Sequence, residues 1–245
     1  MRLDVAFSPA GLAPGEVAGR TIAVIDILRA TTTICAALHA GARAVLPVPS
    51  TAEALRLAQT LGSDDVLLAG ERQGLRIDGF PLGNSPREMI PDAVRGRTII
   101  MTTTNGTGAL LATQGAHQVF LASAANFGAA AARARETWVE RQDLLVLCAG
   151  RDGHFGLDDA YAAGRLVEAA LARHRTARGL NDAAVACLDL VRRYGRRFDR
   201  PLAVSAAGRH LAEIGFAEDV AFAAREDTAP VLPLYAERRV TLTAA

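Results

Sequence analysis

Residues 21–33 read TIAVI-DILRA-TTT. Thr21–Ile25 is a short apolar run with β-branched side chains, the composition of a strand buried on both faces. An acid closes the run. Asp26-Ile27-Leu28-Arg29 then leads into Ala30 and Thr31–Thr33, which open an apolar helical stretch. The same succession of apolar run, polar exit and helix start recurs. Further runs stand at Ala44–Val48, Val66–Ala69, Thr98–Met101, Val119–Ala122 and Leu144–Cys148. Strands alternating with helices through short links predict right-handed βαβ units, an α/β fold with a mostly parallel sheet and flanking helices.

The helical patterns carry their own start signals. Ser50 and Glu53 predict a capping box ahead of Ala54, Leu55, Ala58 and Leu61. Asn126 is expected to cap a helix whose apolar face is Phe127, Ala130, Ala131, Ala134 and Trp138. Asp158 is expected to cap another, with Ala163, Leu166, Val167, Ala170 and Leu171 on one face. After about residue 176 the pattern changes. Asn181–Tyr194 and Ala203–Ile214 read as helices, Val231–Leu234 and Arg239–Thr243 as late strands. Residues 1–245 therefore read as one domain, with 176–245 as a candidate C-terminal subdomain. Arg165–Arg200 carries nine arginines against four acids, read as a solvated helical face because interleaved aromatics are missing.

Composition excludes several classes. Half of the 245 residues are hydrophobic and the net charge is +1, so no charge excess points to nucleic acid or an anionic membrane. No position is lysine, which removes Schiff-base chemistry and a P-loop lysine together. Cys35, Cys148 and Cys187 are dispersed and form no CxxC pair, so reduced thiols at core positions and a cytoplasmic setting are expected. No apolar stretch is long enough for a membrane span or signal peptide. The apolar composition is compatible with a homodimer.

In an open parallel sheet, ligands gather at the carboxyl ends of strands. Four exits are polar. The first holds Asp26, Arg29 and Thr31: a carboxylate that needs a cation or donors, a forked donor suited to oxyanions, and a helix start. The second holds Glu71 and Arg72, followed by Gly83-Asn84-Ser85-Pro86. Asn84 and Ser85 either orient a ligand oxygen or cap a short helix. The third is Thr102-Thr103-Thr104-Asn105-Gly106-Thr107, hydroxyls and a glycine at a helix start, an oxyanion cradle without Walker spacing. The fourth runs from Gly150 and Arg151 through His154 to Asp158-Asp159. Three separate acidic exits suit a hard divalent cation such as Mg²⁺ rather than zinc. His117, His174 and His210 have no motif around them.

These four segments, in this order, resemble the 2-phosphosulfolactate phosphatase family (ComB-like proteins). The matching strings are VIDILRATTTI, LLAGERQGLRIDGFPLGNSP, IIMTTTNGT and CAGRDGHFGLDDAYAAG, with Asp219-Val220-Ala221-Phe222 a fainter match. The family's Glu-Asp pair after the last motif stands here as Asp158-Asp159. The resemblance implies a fold of its own kind and a Mg²⁺-dependent phosphatase converting 2-phospho-3-sulfolactate to 3-sulfolactate, a step towards coenzyme M. On that reading Asp26, Glu71 and Asp159, with Asp158 beside them, hold Mg²⁺. Asp26, Arg29 and Asp159 are the catalytic candidates. Thr31, Thr103, Thr104, Asn105 and Gly106 cradle phosphate, with Asn84 and Ser85 orienting a ligand oxygen, and Arg72 or Arg151 meets the carboxylate or sulfonate. The partner is a small phosphorylated, sulfonated or carboxylated acid. Another phosphorylated hydroxy acid, or a non-catalytic phosphometabolite binder, are the competing readings.

Overall fold

The computed structural model describes residues 1–13, 15–62, 65–172 and 179–242. Ten strands form one sheet: β1 (Leu3–Ala6), β2 (Thr21–Ile25), β3 (Ala44–Pro47), β4 (Val66–Arg72), β5 (Leu75–Arg76), β6 (Thr98–Thr102), β7 (Gln118–Ala122), β8 (Leu144–Cys148), β9 (Leu234–Ala236) and β10 (Arg239–Thr241). Their order is β1-β8-β2-β7-β9-β10-β3-β6-β4-β5. The helices are α1 (Ala30–His39), α2 (Thr51–Leu61), α3 (Pro91–Val94), α4 (Gly106–Leu111), α5 (Phe127–Val139), α6 (Leu157–Leu171), α7 (Asp182–Tyr194), α8 (Asp199–Val204), α9 (Ala206–Glu213) and α10 (Ala217–Ala223). None of these is long and apolar enough to cross a membrane.

The α/β reading holds, with one feature the apolar runs did not signal. β1, β8, β2 and β7 are parallel to one another, and so are β3, β6 and β4. The β9–β10 hairpin sits between these blocks and pairs antiparallel on both sides. Three antiparallel steps reverse direction, so the two blocks run in opposite senses. In a flat sheet β2 and β6 would lie about 24 Å apart, five steps of about 4.8 Å, with their carboxyl ends on opposite edges. For those ends to meet, the two blocks have to be rotated relative to each other, and five steps of about 20–25° each supply roughly 100–125°. Accumulated interstrand twist favours this. Phe120 with Leu234 and Val240 with Val45 are the registered pairs that join the hairpin to the blocks, and Leu121 N donates to Pro233 O at 3.0 Å just before β9.

Side-chain alternation divides the two faces of the sheet between different cores. Ala23, Ile25, Phe120, Ala122, Val146 and Cys148 pack with α5, α6 and α7 in one core. Their neighbours Ile22, Val24, Val119, Leu121, Leu145 and Leu147 enter a second core with Ile34 and Leu38 of α1 and Leu110 of α4. That second core also contains Val45, Ile99 and Met101 from the other block. Thus α1 and α4 are held between the two blocks, and each begins at a strand exit. Ile100 turns the opposite way and packs with Val48, Ala54 and Phe80.

Several local expectations are corrected. Asn126 does not cap α5 through its side chain; it accepts from Ser123 N and donates to the carbonyls of Leu121 and Val231. Asp158 lies inside the first turn of α6, whose cap is Gly156. Ser50 caps α2 as expected, accepting from Glu53 N at 3.1 Å. Asn181 caps α7 in the same way. The stretch 203–214 divides at Ser205 into α8 and α9, because Ser205 leaves the helical conformation and caps α9. β1 was missed: it is short, and its Asp4 is buried only because Arg20 pairs with it at 2.8 Å. Arg165, read as part of a solvated face, is buried against Glu226. His174, Arg173, Arg175, Arg178, Thr243 and the expected subdomain boundary lie outside the described residues.

Candidate active site

The carboxyl-end loops of β2, β4, β6 and β8 surround one cavity of about 440 Å³. Asp26, Arg29, Glu71, Thr104, Asn105, Arg151, Asp158 and Asp159 all line it. The acidic exits thus come together, although they lie on oppositely directed blocks. Hydrogen bonds between loops fix the meeting. Glu71 accepts from Thr104 N at 2.7 Å and from the Thr104 hydroxyl at 3.0 Å, joining the β4 and β6 exits. Asp159 accepts from Ile27 N at 2.9 Å and Gly150 N at 3.0 Å, joining the β2 and β8 exits to α6. Asn105 Oδ1 accepts from Asp152 N at 3.2 Å, joining the β6 and β8 exits.

Asp26 sits at the centre of this network. Its Oδ1 accepts from Ala30 N at 3.2 Å, and its carbonyl accepts from Thr31 N and Oγ1 at 2.9 and 2.8 Å. Its Oδ2 accepts no hydrogen bond among the described residues. The β6 exit passes so close that a Cβ on Gly106 would stand 2.6 Å from Asp26 Oδ2 and 2.5 Å from Ala30 Cβ. Glycine is required there by that approach. Gly106→Ala is expected to displace the Asp26 carboxylate or the loop, costing about 1–3 kcal/mol of stability and at least about 10-fold in turnover if the carboxylate acts there. A denaturant titration and a steady-state assay on the variant check both.

The electrostatics are those of an uncompensated acidic site. Burial, then the charges of Glu71 and Asp158, push Asp26 up from its ordinary 3.8 to about 7, against the Ala30 N–H and Arg29. Burial raises Asp158 to about 6, opposed by its own and Asp159's backbone N–H and by Arg151. Asp159 is held well above the usual carboxylate range by burial and by Asp158 and Asp26. The guanidinium that could neutralise them is engaged elsewhere. Arg29 donates to Asp219 Oδ2 at 2.7 Å and to Gly74 O at 2.6 Å, and lies over the Phe216 ring. The Arg29–Asp219 pair is almost wholly buried.

Other candidates fall into two groups. Asn84 and Arg151 line the cavity, and Asn84 Oδ1 is buried without a hydrogen-bond partner. Thr31, Arg72, Ser85 and Thr103 stand behind the wall. The Thr31 hydroxyl is spent on the Asp26 carbonyl. Arg72 donates to Glu71 O and Thr102 Oγ1. Ser85 donates to Asp219 Oδ1 at 2.8 Å and Thr103 Oγ1 accepts from Thr107 N at 3.1 Å. Two participants come from the C-terminal helices. Asp219 lies in the string that gave the fainter resemblance; His210 has no local motif, and only the packing of α9 reveals it. A larger groove of about 740 Å³ between α5, α6 and α7 contains none of the acidic exits.

The donors suit a hard cation: carboxylate oxygens, an unpartnered amide oxygen and excess negative charge. Among the described residues no three acidic, histidine or cysteine side chains converge as a ready-made metal cage. One or two carboxylates completed by water and substrate oxygens is the arrangement that Mg²⁺ commonly adopts.

A family model described as 2-phosphosulpholactate phosphatase matches residues 7–238. Among curated proteins, a probable 2-phosphosulfolactate phosphatase of Symbiobacterium thermophilum is 40% identical over 227 residues, covering 93% of this chain and 96% of that protein. Proteins of the same description from Deinococcus radiodurans and Thermus thermophilus are 44% and 41% identical. They cover 86% and 87% of this chain, and 85% and 86% of their own lengths.

Proposed function

The chain belongs to the 2-phosphosulfolactate phosphatase family and is a phosphatase, and we propose that it hydrolyses 2-phospho-3-sulfolactate to 3-sulfolactate and phosphate with the help of Mg²⁺. The observation that carries this reading is the ring of Asp26, Glu71, Asp158 and Asp159 around one cavity, with the Arg29 guanidinium engaged by Asp219. Asp26, through its free Oδ2, and Asp158 would hold the cation, with Glu71 and Asp159 beside them. Bound there, Mg²⁺ supplies Lewis-acid polarisation of the phosphoryl group and neutralises charge developing on its oxygens.

The chain's own residues supply alignment. Phosphoryl transfer depends on positioning and charge stabilisation more than on covalent help. Glu71 fixes the Thr104 turn, so Thr104, Asn105 and Gly106 present a preset edge to the phosphate. Asp159 fixes Ile27 and Gly150, the residues that flank Asp26 and Arg151. Arg151, at the cavity wall, meets an acid group of the substrate. Arg29 acts as part of that wall through its bonds to Asp219 and Gly74. The overall step breaks the phosphate ester bond: water supplies the oxygen that phosphorus gains, and its protons are shared between alcohol and phosphate. On this proposal the product is a sulfonated hydroxy acid, and a step towards coenzyme M is the route that the family resemblance suggests. Buried free thiols at Cys35, Cys148 and Cys187 support a cytoplasmic setting.

Phosphate release tests the reading. With Mg²⁺, 2-phospho-3-sulfolactate is expected to turn over, and a chelator is expected to lower the rate at least about 100-fold. Other phosphorylated hydroxy acids form the second arm. Faster release from one of them would reassign the substrate. Binding of the esters without release from any would identify a non-catalytic binder.

A further inference from the structure

The cavity has few ways to recognise a second acid group. Its lining includes two arginines, Arg29 and Arg151, and one histidine, His210. Both terminal nitrogens of Arg29 are committed, to Asp219 and to the Gly74 carbonyl, and its face is covered by Phe216. The substrate proposed above carries a sulfonate besides its phosphate and carboxylate. A sulfonate cannot share the acidic floor with Asp26, Asp158 and Asp159 without repulsion. The lining groups of cationic chemistry that remain are Arg151, whose ion pair with the exposed Asp152 is long at 4.0 Å, and His210, which meets the Gln73 carbonyl at 3.1 Å.

His210 reaches the cavity from α9. The approach depends on Gly74, where a Cβ would stand 2.6 Å from Ile214 Cδ1 and 3.5 Å from Leu211 Cδ2. With no side chain there, the β4–β5 turn seats against α9, and His210 Nε2 comes 3.1 Å from Gln73 O. A carbonyl only accepts, so Nε2 donates, and Nδ1 is the ring nitrogen left for a ligand. For Nδ1 to hold an anion it has to donate as well, which an imidazole does only with a proton on each nitrogen. Ala207 and Leu211 of the same helix complete this side of the cavity.

Resting on the reaction proposed above, we infer that His210 and Arg151 form the sulfonate subsite, and that α9 sets the specificity of the enzyme. The test reads binding, so that it does not depend on turnover. Calorimetric titration of the full chain with 3-sulfolactate, in Mg²⁺ buffer, is compared with lactate, which lacks the sulfonate. Wild type is expected to bind 3-sulfolactate at least about 10-fold more tightly than lactate, the scale of a charged hydrogen bond. His210→Ala and His210→Gln should both erase most of that preference while leaving lactate binding unchanged. The glutamine keeps a donor for the Gln73 carbonyl but no charge. If His210→Gln behaves as wild type, or if wild type shows no preference, the inference is wrong and His210 only anchors the turn. Phosphate release from 2-phospho-3-sulfolactate by wild type is scored separately. Preference without release would overturn the reaction; release without preference would overturn the subsite.

Discussion

Asp26→Asn is expected to abolish turnover and, in the metal-free protein above neutral pH, to raise the melting temperature. The two effects share one cause. Asp26 is buried among like charges and is pushed up to about 7 from an ordinary 3.8. Between those values the folded state holds a proton that the unfolded chain has released. The folded state then binds more protons, so the stability of the metal-free protein falls as pH rises from about 4 to about 7. Above that window the destabilisation is fully present, and below it the penalty disappears. At about 1.4 kcal/mol for each pKa unit the ceiling is about 4 kcal/mol. Burying an amide in place of the acid returns part of that. A net gain of about 2 kcal/mol would raise the melting temperature by about 4–8 °C for a chain of this size. Turnover should fall at least about 100-fold, since the variant loses a charge placed at the reacting centre. Thermal scans at pH 4.5 and pH 8 in chelator, with a parallel assay in Mg²⁺, check both halves. Equal melting shifts at the two pH values would remove the electrostatic explanation.

Asp219→Ala is expected to have the opposite effect on stability. The variant leaves the Arg29 guanidinium buried and unpaired, with 2% of its side chain exposed. Breaking a buried ion pair from one side costs about 3–5 kcal/mol, because the remaining charge stays out of water. The Ser85 hydroxyl loses its acceptor as well. The melting temperature should fall by roughly 6–20 °C. Asp219→Asn, which keeps a carbonyl oxygen for Arg29 or Ser85, should cost less. Denaturant titration of both variants distinguishes these outcomes. Near-wild-type stability of Asp219→Ala would mean that Arg29 finds another partner, most readily the cavity carboxylates. Turnover should also fall, because Arg29 ties the β4–β5 turn and α10 to the cavity wall.

Much of the site was legible because its residues follow strands. Asp26, Glu71, Thr104 and Asp159 each sit at or just beyond the end of an apolar run or in the helix after it, so a rule about strand ends was enough to find them. Their individual duties were not legible. The hydroxyls of Thr31 and Thr103 are taken up by the turns that contain them. Arg72 serves the backbone of its own loop and a neighbouring threonine. Type and position along the chain do not say which way such a side chain turns. The reversal of the second parallel block was invisible for a similar reason. Buried parallel strands read as apolar runs in either direction, and the reversal is made by β9 and β10, short strands more than 100 residues from the β7 and β3 strands that they join. The contacts made by Asp219 and His210 were hidden by sequence separation. Their partners Arg29 and Gln73 lie 190 and 137 residues away. No local pattern encodes such contacts.

The most direct measurement is a crystal structure of the chain grown with Mn²⁺ and an unreactive phosphate analogue, with anomalous data collected at the manganese edge. The account predicts one strong anomalous peak in the cavity, at coordination distance from Asp26 Oδ2 and in contact with an analogue oxygen, and no such peak for Asp26→Asn. A peak remote from Asp26, or an analogue bound in the cavity with no metal beside it, would contradict it.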